Sequence, residues 1–172
     1  MIMKLAYAPI YELIRVGEYD LVVDRIVDVN SGRLKKPFLQ DANHAWYCVG
    51  DACFKAGRLL EAVVAFRRAL KADPEDVMCF IALGNSYDAM GRPKLAERML
   101  RRALVMRLDE NDRASILLNL GNALYDQNRY KDAIEEYEMI MDRKDQIGER
   151  ARKNIALAKL KRKAILRRES KR

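Results

Sequence analysis

A chain of 172 residues, half of them apolar, holds the material for one domain or one short array of repeats. Its 33 Lys and Arg against 25 Asp and Glu give a formal net charge of +8. The excess sits in one place: residues 143–172 carry 13 basic and 3 acidic side chains, a net of +10, which leaves −2 on the other 142. Three cysteines, an odd number, argue against a disulfide framework and for reduced thiols. No run approaches the roughly 18 apolar residues of a spanning helix. The N-terminal stretch Met1 to Pro9 soon meets Glu12 and Arg15, too short and interrupted for a signal peptide. A soluble, cytoplasmic protein is the expectation.

Residues 3–30 read as a degenerate helical pair. Gly17 stands at an inter-helix turn, and Val22, Ile26 and Val29 recur at i, i+4, i+7 on one helical face. Pro9 is expected to open the first helix, where the missing N–H does no harm. Residues 31–42 read as a loop, through Ser31-Gly32 and Lys35-Lys36-Pro37. Asp41 or Asn43 is expected to cap the following helix.

From Asn43 a pattern emerges. Trp46, Gly50, Cys53, Gly57, Ala62, Phe66, Ala69 and Pro74 mark a unit over 43–76, with one helix near 43–56 and a second near 60–72. The small residues suit a close helix crossing, and Trp46, Phe66 and Leu70 are expected to fill the space beside them. Gly84, Tyr87, Gly91, Ala96, Leu100 and Ala103 repeat the series 34 residues later, in a unit over 77–110. A third unit over 114–145 carries Leu117, Leu120, Gly121, Leu124, Ala133 and Tyr137, with Asn128 at its inter-helix turn. The interval from Gly84 to Gly121 is 37 residues, for which a longer turn around 109–113 is expected. Residues 146–172 form a last, basic helix and tail.

This spacing of Trp, Gly, Ala, Phe, Ala and Pro resembles the tetratricopeptide repeat, a helix–turn–helix unit of about 34 residues. The resemblance implies an all-α solenoid, a right-handed superhelix of helix pairs, closed by a long C-terminal capping helix. It also implies a non-enzymatic binding scaffold, whose first helices (A helices) line a concave groove for an extended peptide or a partner helix. Mapped onto this chain, the groove positions are Tyr47, Asp51 and Lys55, then Ile81, Asn85 and Asp88. Asn119, Asn122 and Asp126 follow, and Arg150, Lys153 and Asn154 stand on the cap helix. The recurring asparagines are the sharpest feature. An amide offers one acceptor and two donors, which suits a peptide backbone of any sequence, while helix interiors disfavour asparagine. Some members of the family clamp a C-terminal carboxylate. Asn85, Asn119 and Arg150 fit that pattern, but Ile81 and Asn154 stand where it has cations.

The basic segment supplies a second reading. Lys159, Lys161, Arg162, Lys163, Arg167, Arg168, Lys171 and Arg172 surround Ala164, Ile165 and Leu166. Such a helix suits phosphates of a nucleic acid, an anionic lipid surface or an acidic protein. It equally suits a solvated tail, or a contact between copies through Ile165 and Leu166. No aromatic residue follows Tyr137, which removes base stacking by the tail. Catalysis, metal and cofactors find no support. His44 is the sole histidine, and Cys48 and Cys53, five apart on a helix, do not share a face. The pairs Arg67-Arg68 and Arg101-Arg102 read as solvated faces.

Overall fold

Nine α-helices account for most of the described chain. The computed structural model describes residues 2–169, with side chains over 6–168; Lys171 and Arg172 of the basic tail lie outside the described residues. The helices are α1 (Ile2–Val16), α2 (Tyr19–Ile26), α3 (Ala42–Lys55), α4 (Leu59–Ala72), α5 (Val77–Ala89), α6 (Pro93–Leu104), α7 (Glu110–Asp126), α8 (Tyr130–Glu138) and α9 (Gln146–Glu169). The fold is an all-α helical repeat. It divides into two compact units, Met1–Ser86 and Tyr87–Arg172, with the division inside α5.

Four inter-helix turns share one device. Gly17, Gly57, Gly91 and Asn128 adopt positive φ, from 61° to 84°. Each lets the next residue's N–H reach back across the turn: Glu18 to the Leu13 carbonyl (2.9 Å), Arg58 to Cys53 (2.8 Å), Arg92 to Tyr87 (2.8 Å) and Arg129 to Leu124 (3.0 Å). These bonds satisfy carbonyls that a helix end otherwise leaves unpaired. Asparagine tolerates the left-handed region better than most residues with a Cβ, and the Tyr130 hydroxyl donates to Asn128 Oδ1 (2.6 Å).

In the first unit, α1 docks by aromatic contacts. Tyr7 is buried, with its ring edge-on to His44 (4.6 Å) and Phe38 (5.4 Å), and the Tyr11 hydroxyl meets His44 Nε2 at 2.6 Å. Several local expectations are corrected. Pro9 lies within α1 instead of opening it. The expected Val22–Ile26–Val29 face stops at Ile26. Val22 and Ile26 are fully buried, but Val29 is 73% exposed. The chain turns there into a short antiparallel pair, β1 (Val27–Asp28) with β2 (Arg33–Leu34), followed by a 3₁₀ helix over Lys36–Asp41. The expected loop is thus partly regular, anchored by buried Val27, Leu34 and Phe38. Neither Asp41 nor Asn43 caps α3 through its side chain. Asn43 Nδ2 instead donates to the Ala69 carbonyl (3.3 Å) and Asp76 Oδ2 (2.9 Å), tying the start of α3 to the end of α4 and the entry to α5.

The α3–α4 pair is packed through Gly50. A Cβ there would lie 2.5 Å from Phe66 Cε1, so the Phe66 ring occupies the space that the missing side chain leaves. Trp46 does not fill that space. It is half-buried and lies under the Arg68 guanidinium, 4.5 Å from its ring, while Arg68 also donates to the Gly32 carbonyl (3.1 Å). Leu70 is half-buried too. Arg68 is therefore more than a solvated charge.

In the second unit, α7 and α8 repeat the same lock. A Cβ on Gly121 would lie 2.3 Å from Tyr137 Cε1. The long interval does not lengthen the turn as expected; it lengthens the helix. Asp109 is the N-cap, its carboxylate accepting from the Asp112 N–H (2.8 Å), and α7 runs 17 residues from Glu110. Glu110 and Asp112 in the first turn complement the positive end of the helix. Glu97 of α6 binds Arg101 (2.9 Å) on its own helix, and Arg129 (2.9 Å) and Gln127 (2.8 Å) from the turn between α7 and α8. Burial works against its charge, yet these donors hold its pKa below the usual range.

Candidate functional site

The second unit gathers four of the expected groove residues around one cavity. Asp88 from α5, Asn122 and Asp126 from α7 and Asn154 from α9 line a space of about 240 Å³, with Tyr125, Tyr137 and Leu157. The helical period explains the grouping. Asn122 and Asp126 are four apart on α7, and Asn154 and Leu157 are three apart on α9. Packing supplies the floor. Tyr137 is buried against Gly121 and directs its hydroxyl to Asn122 Oδ1 (2.7 Å), which also accepts from Asn154 Nδ2 (2.9 Å).

This network fixes the amides and orients what remains of them. Asn122 Oδ1 accepts from both donors, and the Asn122 Nδ2 and the Asn154 Oδ1 take no part in this network. Burial raises the Tyr137 phenol well above its ordinary pKa. The Asp88 carboxyl is also raised, first by burial and then by the neighbouring Asp126 carboxylate.

The other expected positions stand apart from this cavity. In the first unit, Tyr47 is half-buried with its ring 5.6 Å from Phe66, and burial pushes its pKa up to about 12. Asp51 and Lys55 pair with each other at 2.7 Å. Asn85 and Asn119 are half-buried on α5 and α7. On α9, Lys153 binds Glu149 (2.7 Å) and Arg150 is exposed. Ile81 is buried, which takes it out of ligand contact.

Tyr125 and Leu157 were not among the expected residues, although their spacing from Asn122 and Asn154 could have shown them. Tyr137 was legible only as a core residue; its hydroxyl's role depends on the crossing of α7 and α8.

The basic helix has a different character. α9 buries Ala151, Ile155 and Ala158, and every residue from Lys159 to Arg168 is exposed. Lys159 approaches Glu138 (3.4 Å), while Arg162, Ile165 and Leu166 flank a second cleft beside Asn128–Asp132. The exposed set includes Lys161, Lys163, Arg167 and Arg168. No described helix is long and apolar enough to cross a membrane.

The cysteines are free and buried. Cys48 Sγ lies 3.6 Å from His44 Nε2, but burial, helped by Asp51 and Asp41, pushes the thiol up to about 12. A thiol in that state is a poor nucleophile at neutral pH.

Comparison with known proteins places this geometry in a family. Tetratricopeptide repeat models match residues 44–76 and 81–146. The chain is 32% identical over 95 residues to the type IV pilus assembly protein PilF of Pseudomonas aeruginosa, covering 55% of this chain and 36% of that protein. It is 32% identical over 106 residues to superkiller complex protein 3 of Homo sapiens and 30% identical over 104 residues to that of Mus musculus, covering 60% of this chain and 6% of each. The chain thus spans well under half the length of these relatives. With both models falling on the helix pairs and the Gly–aromatic locks that hold them, the chain belongs to the tetratricopeptide repeat family.

Proposed function

We propose that this chain is a non-enzymatic protein–protein interaction module, an adaptor or chaperone-like scaffold, that binds a peptide segment along the A-helix faces. Tetratricopeptide repeats mediate protein–protein contacts. The observation that carries the finer reading is the cavity at Asn122 and Asn154, where ordered amides keep a donor and an acceptor for a peptide backbone. The names of the matched relatives, a pilus assembly protein and a superkiller complex protein, accord with a role in assemblies. A cytoplasmic setting belongs to the same proposal, supported by three buried free thiols.

The test is capture of partners from native extract by the tagged full chain. The double variant Asn85→Ala/Asn119→Ala is expected to retain its circular dichroism spectrum and to lose at least about tenfold in capture, the scale of one or two side-chain hydrogen bonds. Undiminished capture by the folded double variant and by Asn154→Ala, which alters the cavity itself, removes the groove reading.

A second reading rests on the solvated basic stretch of α9, which suits a nucleic acid or another acidic surface. On that reading, deleting residues 159–172 abolishes retention on an immobilised RNA column, and the retention of the intact chain falls steeply with salt through counterion release. Equal retention with and without the segment rejects it. Self-association through Ile165 and Leu166 is a third reading, and light scattering that shows only monomer across a concentration series rejects that one.

A further inference from the structure

We propose that the cavity at Asp88 and Asp126 receives a cationic group, an ammonium or a guanidinium, presented by the bound protein segment. This rests on the peptide-binding reading and names the chemistry that its anchor takes. Three half-buried acids elsewhere in the second unit have basic partners: Glu97 binds Arg101 and Arg129, Glu136 lies 3.9 Å from Arg101, and Asp132 pairs with Arg129. The exposed acid Asp145 pairs with Arg143. Asp88 and Asp126 form no ion pair with any described residue, and none of the cavity's lining residues is basic. Asp126 is exposed and Asp88 half-buried, and among the described residues the buried Asp88 Oδ1 has no hydrogen-bond partner. A buried acceptor left unsatisfied is destabilising, and so is a second carboxyl beside it.

The rest of the wall fits the same guest. Tyr125, Tyr137 and Leu157 offer apolar surface for the aliphatic stem of a Lys or Arg side chain, and aromatic faces attract a cation. The Asn154 Oδ1 adds an acceptor. A cavity of about 240 Å³ has room for such a side chain. Beyond it, Arg150 and the exposed turns of α9 are basic. The favoured segment therefore inserts one cation at the cavity and carries acidic residues where it passes α9.

The test uses the ¹⁵N-labelled full chain and small probes: N-acetyl-lysine amide, N-acetyl-arginine amide and glycinamide, which mimics a chain-end amine. N-acetyl-glutamine amide and N-acetyl-glutamate amide are the controls. The Asn122 and Asn154 side-chain amide signals are expected to shift saturably with at least one cationic probe, about tenfold more tightly than with the glutamine probe. The tightest of the three identifies the group. Asp88→Asn and Asp126→Asn are each expected to weaken that binding about tenfold, with Asp88→Asn raising the urea midpoint of the free protein by removing an unpaired buried charge. Glu135→Gln, an exposed acid beside Lys131, should leave binding unchanged. Equal binding of the glutamine probe, or full cation binding by both folded Asp variants, overturns the proposal. Loss of partner capture in Asn85→Ala/Asn119→Ala together with unchanged capture in the Asp variants would sink this inference and leave the groove reading standing.

Discussion

Gly148→Ala is expected to destabilise the docking of α9 by about 3 kcal/mol, at the upper end of what overpacking does. A Cβ at this position would lie 2.2 Å from the Arg143 carbonyl oxygen, a backbone atom that no rotamer change can move. The turn that carries this carbonyl is held from several sides. Arg152 Nη1 donates to the carbonyls of Met141 and Arg143, and the Arg143 guanidinium binds Asn111 (2.7 Å) and Asp145 (2.6 Å). Asp145 also accepts the Gly148 N–H at 3.0 Å, which caps the start of α9. Alanine's better helix propensity returns only about 0.5–1 kcal/mol, so the clash decides the sign. Hydrogen exchange should show protection lost across α9 before the rest of the chain. Binding at the Asn154 cavity should fall with it, because Asn154 and Leu157 ride on this helix. Native protection of α9 in the variant would show that the turn yields more easily than its hydrogen bonds suggest.

Gly121→Ala is expected to lower stability by about 2 kcal/mol, and by more than Gly50→Ala. Both glycines make room for an aromatic ring of the paired helix, with ideal Cβ positions 2.3 Å from Tyr137 and 2.5 Å from Phe66. The rings differ in their freedom to move. Tyr137 is tethered by its hydroxyl to Asn122, whereas Phe66 has no polar anchor and packs against Tyr47 at 5.6 Å. Displacing Tyr137 therefore breaks a hydrogen bond as well as a packing contact. Urea midpoints of the two variants give the comparison. In Gly121→Ala/Tyr137→Leu the smaller partner should recover part of the loss, and strict additivity of the two substitutions would argue against a direct clash.

The helix pairs were legible because their signals are local and repeated. A glycine or asparagine at each turn, a glycine at each crossing and a large apolar or aromatic partner 16 residues on (Phe66, Leu100, Tyr137) recur along the chain. Where the signal was local but ambiguous, reading it failed. Val29 continued a helical period but lies in a hairpin turn, since β1 and β2 take up the backbone hydrogen bonds after Ile26. Asp109 to Asp112 read as a turn, yet the Asp109 cap and two first-turn acids make it the start of α7.

Composition and periodicity determined the order of the helices and the concentration of positive charge on the last one, because each depends on neighbours in sequence, while the class of fold followed from the resemblance of the repeat spacing to the tetratricopeptide family. Tertiary structure decided which polar residues act together. Asn122, Asp126 and Asn154 stand on helical faces in any reading, but only the packing of α7, α8 and α9 bonds the two amides to each other and to Tyr137. It also decided which acids are neutralised: Glu97 finds Arg129, 32 residues on, while Asp88 and Asp126 meet each other. Partners separated by tens of residues are chosen by helix crossing, and a helical period carries no information about the helix on the other side.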